Sequence, residues 1–197
     1  MGKERLEAAF RSAAAAGRAA FIPYLTAGDP SLEWTGRHLD ALAAAGADVV
    51  ELGVPFSDPV ADGPVNQRAA ERALAARTTL AGVLDLLADK RRSGWKPAAV
   101  VFTYANPVAA MGWEAFARRA AAAGADGALV VDLPVEEAAA HRAACAASGL
   151  ATVFLAAPTT DDARLAEAAR ASSGFLYFVS RLGVTGVRDR IAAGAHE

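Results

Sequence analysis

Apolar and polar positions run along this chain in two rhythms. Short runs rich in β-branched and aromatic residues predict six strands: FIPYLTA (21–27), DVVELGV (48–54), AAVVFTY (98–104), GALVVD (127–132), ATVFLAA (151–157) and FLYFVS (175–180). Longer alanine-rich stretches near 31–45, 64–92, 113–123, 135–148 and 161–172 predict helices between them. Gly46, Gly94, Gly124, Gly149 and Gly174 stand where helices should stop, since glycine relieves the left-handed conformation at a helix C-terminus. The opening residues MGKERLEAAFRSAAAAGR set Leu6, Phe10 and alanines at helical spacing among Glu4, Glu7 and Arg11. That pattern predicts an amphipathic surface helix, not a signal segment.

Strand–helix alternation implies a parallel sheet with right-handed crossovers, and strand cores apolar on both faces imply helices covering it. No GxGxxG or GxxxxGK[ST] follows a strand, which disfavours dinucleotide and P-loop folds. Polar residues collect instead at the C-terminal ends of strands: Thr26 and Asp29, Glu51, Tyr104 and Asn106, Asp132, Ser180 and Arg181. A (β/α)8 barrel builds its site there, as does an open doubly wound sheet, which stands as the alternative. The expectation is an α/β TIM barrel, six of eight βα units plus an N-terminal helix. Residues 1–197 then form one barrel domain that is incomplete at its C-terminal side.

Composition narrows the partners. The 197 residues are 54% hydrophobic and 21% charged with a formal net charge of −2, a core-forming balance with no electrostatic case for nucleic acid or an anionic membrane. The longest uncharged stretch, Pro97 to Trp113, carries two prolines and an asparagine and is too short to span a bilayer. One cysteine, Cys145, rules out an internal disulfide framework and suits a reducing compartment, so a cytoplasmic location is expected. His38, His141 and His196 fall in helical or terminal segments and make no metal-ligand cluster.

The chemistry concentrates in ELGVPFSDPVADGP (51–64). Strand alternation puts Val50, Leu52 and Val54 on one face and Val49, Glu51 and Gly53 on the other. If the first face meets the helices, Glu51 points inward and Gly53 leaves room above its carboxyl. Burial would favour the protonated form and make it both acid and base. A carboxylate paired with arginine or held by backbone would occupy the same position. Asp58 and Asp62 lie in a loop stiffened by Pro55, Pro59 and Pro64, where ligand binding competes with helix capping and turn roles.

ELGVPFSDPVADGP followed by VNQRA resembles the strand-2 signature of the tryptophan synthase α subunit family. FIPYLTAGDP (21–30), YANPV (104–108), VVDLPVEE (130–137) and SRLGVTGVR (180–188) resemble further family motifs, in family order and across nearly the whole chain. The resemblance implies a carbon–carbon lyase of tryptophan biosynthesis. Its reaction is retro-aldol cleavage of indole-3-glycerol phosphate to indole and glyceraldehyde 3-phosphate, without cofactor or metal. Pyridoxal phosphate is expected only on a β-subunit partner in an α2β2 tetramer.

By similarity, Glu51 is the acid and then the base, and Asp62 holds the indole N–H. Tyr24, Phe102 and Leu155 match the indole pocket, and Tyr104 and Tyr177 match positions near the substrate; ordinary core packing is the alternative for each. Thr185 and Gly186 match a loop closing over the substrate, with Gly186 offering a backbone N–H to phosphate and Arg181 gating. The loops of Asp58, Asn106 and Asp132 match gating or partner-facing positions. Leu182 and Phe175 depart from residues usual in the family, and its glycine-rich phosphate turns after the last two strands are absent. A non-catalytic fragment that docks on the β subunit is the alternative function.

Overall fold

The computed structural model describes residues 2–179. Ordering runs α1 (Gly2–Ala15), β1 (Tyr24–Thr26), α2 (Leu32–Ala44), β2 (Val49–Gly53), α3 (Pro64–Ala75), α4 (Leu80–Arg92) and β3 (Ala98–Thr103). It continues through α5 (Ala105–Met111), α6 (Trp113–Ala122), β4 (Gly127–Val130), a 3-10 turn at Val135–Glu137, α7 (Ala139–Ser148), β5 (Ala151–Ala156), α8 (Asp162–Ala171) and β6 (Leu176–Phe178). All pairings are parallel, and the spatial order is the chain order, β1-β2-β3-β4-β5-β6. A doubly wound sheet reverses its strand order at a switch point, so this monotonic order is that of a barrel.

The two faces of the sheet carry separate cores. Val50, Leu52, Val54, Ala99, Val101, Ala128 and Val130 pack outward against the helices, with Leu39, Val83, Leu84, Leu87 and Phe116 among their partners. Val49, Ala98, Val100, Leu129, Ala151 and Val153 face inward, where Leu6 and Phe10 of α1 pack against them. The amphipathic helix read at the N-terminus therefore spends its apolar stripe on the barrel interior. The pairing register stacks Glu51 beside Tyr24 on one side and Val100 on the other.

Several boundaries differ from the sequence pattern. The single helix expected over 64–92 is two, because the chain breaks at Arg77, whose φ of 59° is left-handed, and restarts at Thr79, whose hydroxyl caps Gly82. A helix not expected from the pattern, α5, forms across Asn106-Pro107; proline in a first turn costs no hydrogen bond. The stretch 135–148 divides into the 3-10 turn and α7. Gly46, Gly94, Gly124 and Gly149 take positive φ as helix stops. Gly174 does not. It is needed because a Cβ there would come within 2.9 Å of Leu6 Cδ2 and 3.0 Å of Ala151 Cβ.

Candidate active site

Glu51 lies at the middle of β2 with its side chain in the barrel interior, 3% exposed. Its Oε1 is buried with no hydrogen-bond partner among the described residues. No arginine or backbone N–H among them bonds that oxygen. Burial alone pushes the carboxyl up to about 7, so near neutral pH it is divided between acid and base forms.

The room above Glu51 is occupied, contrary to expectation. The Tyr24 ring lies across Gly53, so close that a Cβ at Gly53 would sit 2.3 Å from its hydroxyl oxygen. Gly53 is thus the vacancy that seats a phenol. Phe102 meets the same ring edge-on at 5.2 Å, and Thr26 donates its hydroxyl to Tyr24 Oη at 3.3 Å. Burial pushes the Tyr24 phenol up to about 12, opposed by the Thr26 hydrogen bond and aided by the charges of Asp62 and Glu51. That aid places Tyr24 in the field of both carboxyls.

Asp62 is tied into place by contacts distant in sequence. Tyr104 donates its hydroxyl to Asp62 Oδ2 at 2.7 Å and accepts the Ala61 N–H at 3.2 Å. Gln67 Nε2 donates to the Asp62 carbonyl at 2.8 Å. Helix α3 is capped by Gly63 and opens on Pro64, so the Asp62 carboxyl is not its cap; its Oδ1 accepts from Asn66 Nδ2 at 3.5 Å. Burial, with the hydrogen bond to Asp62 next, raises the Tyr104 phenol. Phe56, which the sequence did not single out, packs its ring on Tyr104 at 5.1 Å, tilted by 31°.

The remaining candidates divide by position. Leu155 and Tyr177 are paired partners on β5 and β6 and pack on the interior cluster with Phe102. Burial raises the Tyr177 phenol, and the Glu51 charge raises it further, so it faces the same chamber. Asp58 is exposed and accepts the Ser57 hydroxyl at 2.5 Å. Asn106 is exposed in the first turn of α5, and Asp132 accepts the Ala105 N–H at 2.7 Å, which starts that helix. Arg181, Leu182, Thr185 and Gly186 lie outside the described residues.

Charge at the opposite end of the strands is structural. Asp126, fully buried, accepts from Arg5 at 2.7 Å, Arg91 at 2.8 Å and the Ala99 N–H at 2.8 Å. This joins α1, α4, β3 and β4. Among the described residues no group of three His, Cys, Asp or Glu could hold a metal ion, and no helix is long and apolar enough to cross a membrane.

Residues 10–197 match the family model described as tryptophan synthase alpha chain. A relative of that name from Laribacter hongkongensis is 53% identical over 182 residues, covering 92% of this chain and 69% of the relative. One from Phenylobacterium zucineum is 51% identical over 193 residues, covering 98% of this chain and 70% of the relative. The solved Mycobacterium tuberculosis tryptophan synthase superposes with a TM-score of 0.88 at 42% identity, over 94% of this chain and 71% of that one. Sequence, barrel order and the paired acids of the β2 segment converge, and the chain belongs to the tryptophan synthase alpha chain family.

Proposed function

We propose that this chain cleaves indole-3-glycerol phosphate to indole and glyceraldehyde 3-phosphate. The observation that carries the reading is the pair of carboxyls in unlike settings: Glu51 buried with an unbonded oxygen, Asp62 held on the rim by Tyr104. Protonated Glu51 gives its proton to C3 of the indole ring, forming an indolenine whose N–H charge Asp62 stabilises. The resulting Glu51 carboxylate takes the proton of the side-chain hydroxyl. The C–C bonding electrons return to the ring, and indole and an aldehyde separate. Two carboxyls whose environments set their proton affinities apart suit such divided roles.

Tyr24, Phe102, Leu155 and Tyr177 then form the apolar slot for the indole ring, and the family resemblance assigns Thr185 and Gly186 to the glycerol phosphate. No cofactor enters these steps; pyridoxal phosphate belongs to a β partner in an α2β2 assembly. Asp58, Asn106 and Asp132, at the strand C-terminal rim, support docking of that partner there. A cytoplasmic setting fits one buried, unpaired cysteine. The solved Pyrococcus furiosus relative is a tryptophan synthase complex, which supports an assembly of this kind.

The test is indole release from indole-3-glycerol phosphate by the purified chain, with and without a β subunit. Release that is lost in Glu51→Gln is expected. Undiminished release in that variant would overturn the assignment. A docking protein without chemistry would instead activate the partner equally with Glu51 or Gln.

A further inference from the structure

Among the described residues, the Tyr24 hydroxyl hydrogen lacks an acceptor and a neighbouring buried carboxyl oxygen of Glu51 lacks a donor. The Tyr24 hydroxyl oxygen accepts from Thr26. In register with it on the next strand, Glu51 Oε1 is buried and accepts nothing. The Tyr104 hydroxyl is committed to Asp62, and Asp62 Oδ2 already has that donor.

Resting on the lyase reading above, we propose that Tyr24 is a positioning residue for Glu51: its hydroxyl donates to the Glu51 carboxylate once that group has passed its proton to the substrate. The phenol is preorganised for this. Gly53 seats it, the Phe102 edge fixes the ring plane, and the Thr26 hydroxyl occupies its oxygen, turning its hydrogen elsewhere. A hydroxyl that accepts a hydrogen bond also donates a stronger one. Protonated Glu51 has little use for a donor; the anion has great use for one, because an uncompensated buried charge is costly. The donation therefore favours the deprotonated form of Glu51.

The groups around Glu51 limit the alternatives. β3 presents Val100 and Phe102, and the loop after β2 brings Asp62. The other titratable neighbour among the described residues is Tyr177 on β6. It pairs with Leu155, not with β2, and among the described residues no hydroxyl donates to its oxygen.

The test is the carboxyl-carbon NMR titration of the full chain labelled with 13C-glutamate, the Glu51 signal being identified by its loss in Glu51→Gln. Tyr24→Phe removes one oxygen and should raise the Glu51 midpoint by about half to one pH unit, as loss of a hydrogen bond to the charged form does. Thr26→Val, which keeps the phenol, should move it the same way by less. Tyr177→Phe should move it less than Tyr24→Phe. An unmoved midpoint in Tyr24→Phe, or a larger shift in Tyr177→Phe, would overturn the proposal. Indole release lost in Glu51→Gln with an unmoved Tyr24→Phe midpoint keeps the lyase reading and rejects the hydrogen bond. A moved midpoint with release intact in Glu51→Gln does the reverse.

Discussion

At the scale of single residues, the site is two acids made different by their surroundings. Glu51 owes its proton affinity to exclusion of water, and Asp62 is held by the Tyr104 phenol at its carboxyl and by Gln67 at its carbonyl. Tyr104→Phe deletes the hydroxyl that joins Asp62 Oδ2 and the Ala61 N–H. Hydrogen bonds to charged groups contribute about 1.5–3 kcal/mol, so kcat/KM for indole release should fall about 10- to 100-fold. Steady-state kinetics with indole detection checks this, and wild-type kinetics would remove Tyr104 from the site. Glu51 was legible because a glutamate inside VVELGV breaks the apolar pattern of a covered strand. The Tyr104–Asp62 bond was not, since its partners are 42 positions apart and only the packing of β3 beside β2 joins them.

At the scale of elements, small residues decide how closely strands and helices approach. Gly53 makes room for the Tyr24 ring, and Gly174 lets the chain entering β6 pass Leu6 of α1 and Ala151 of β5. Gly174→Ala should therefore overpack the interior and lower unfolding stability by about 1–3 kcal/mol, read by urea denaturation. A neutral result would show that Leu6 moves aside freely. The apolar runs place all six strands to within a few residues, because a strand between two apolar layers must be apolar on both faces. The helix α5 is hidden from such patterns, as its start depends on the Asp132 carboxylate arriving from the end of β4. Gly174 reads as a helix stop because sequence cannot distinguish a glycine required by φ from one required by contact.

At the scale of the whole molecule, two buried groups set opposing pH responses. Glu51, held near 7 by burial, keeps its proton in the folded chain where the unfolded chain loses it near 4.5, so it withdraws stability as pH rises between these values. His141, buried on α7 beside Trp113 and lowered to about 4, does the opposite: it restores stability as pH rises from 4 to its ordinary 6.5. Each contributes about 3 kcal/mol across its window, so the two largely offset. Glu51→Gln should match wild-type stability near pH 4, gain on it steadily above that, and exceed it by about 3 kcal/mol at pH 8. Thermal unfolding across that range checks it; parallel profiles for the two proteins would contradict the buried titration. Asp126→Asn should cost about 3–5 kcal/mol in denaturant unfolding, since it uncouples α1 and α4 from β4 and leaves Arg91, 13% exposed, without its carboxylate. The sequence alone determined the strand–helix rhythm, which residues of β2 share a face and the acids worth testing, because periodicity follows from local chemistry. Only the tertiary structure decided that the order is a barrel's, that Tyr24 fills the space over Gly53, and that Tyr104 holds Asp62. Each of those depends on which distant segments share one interior, and no local pattern encodes that distance.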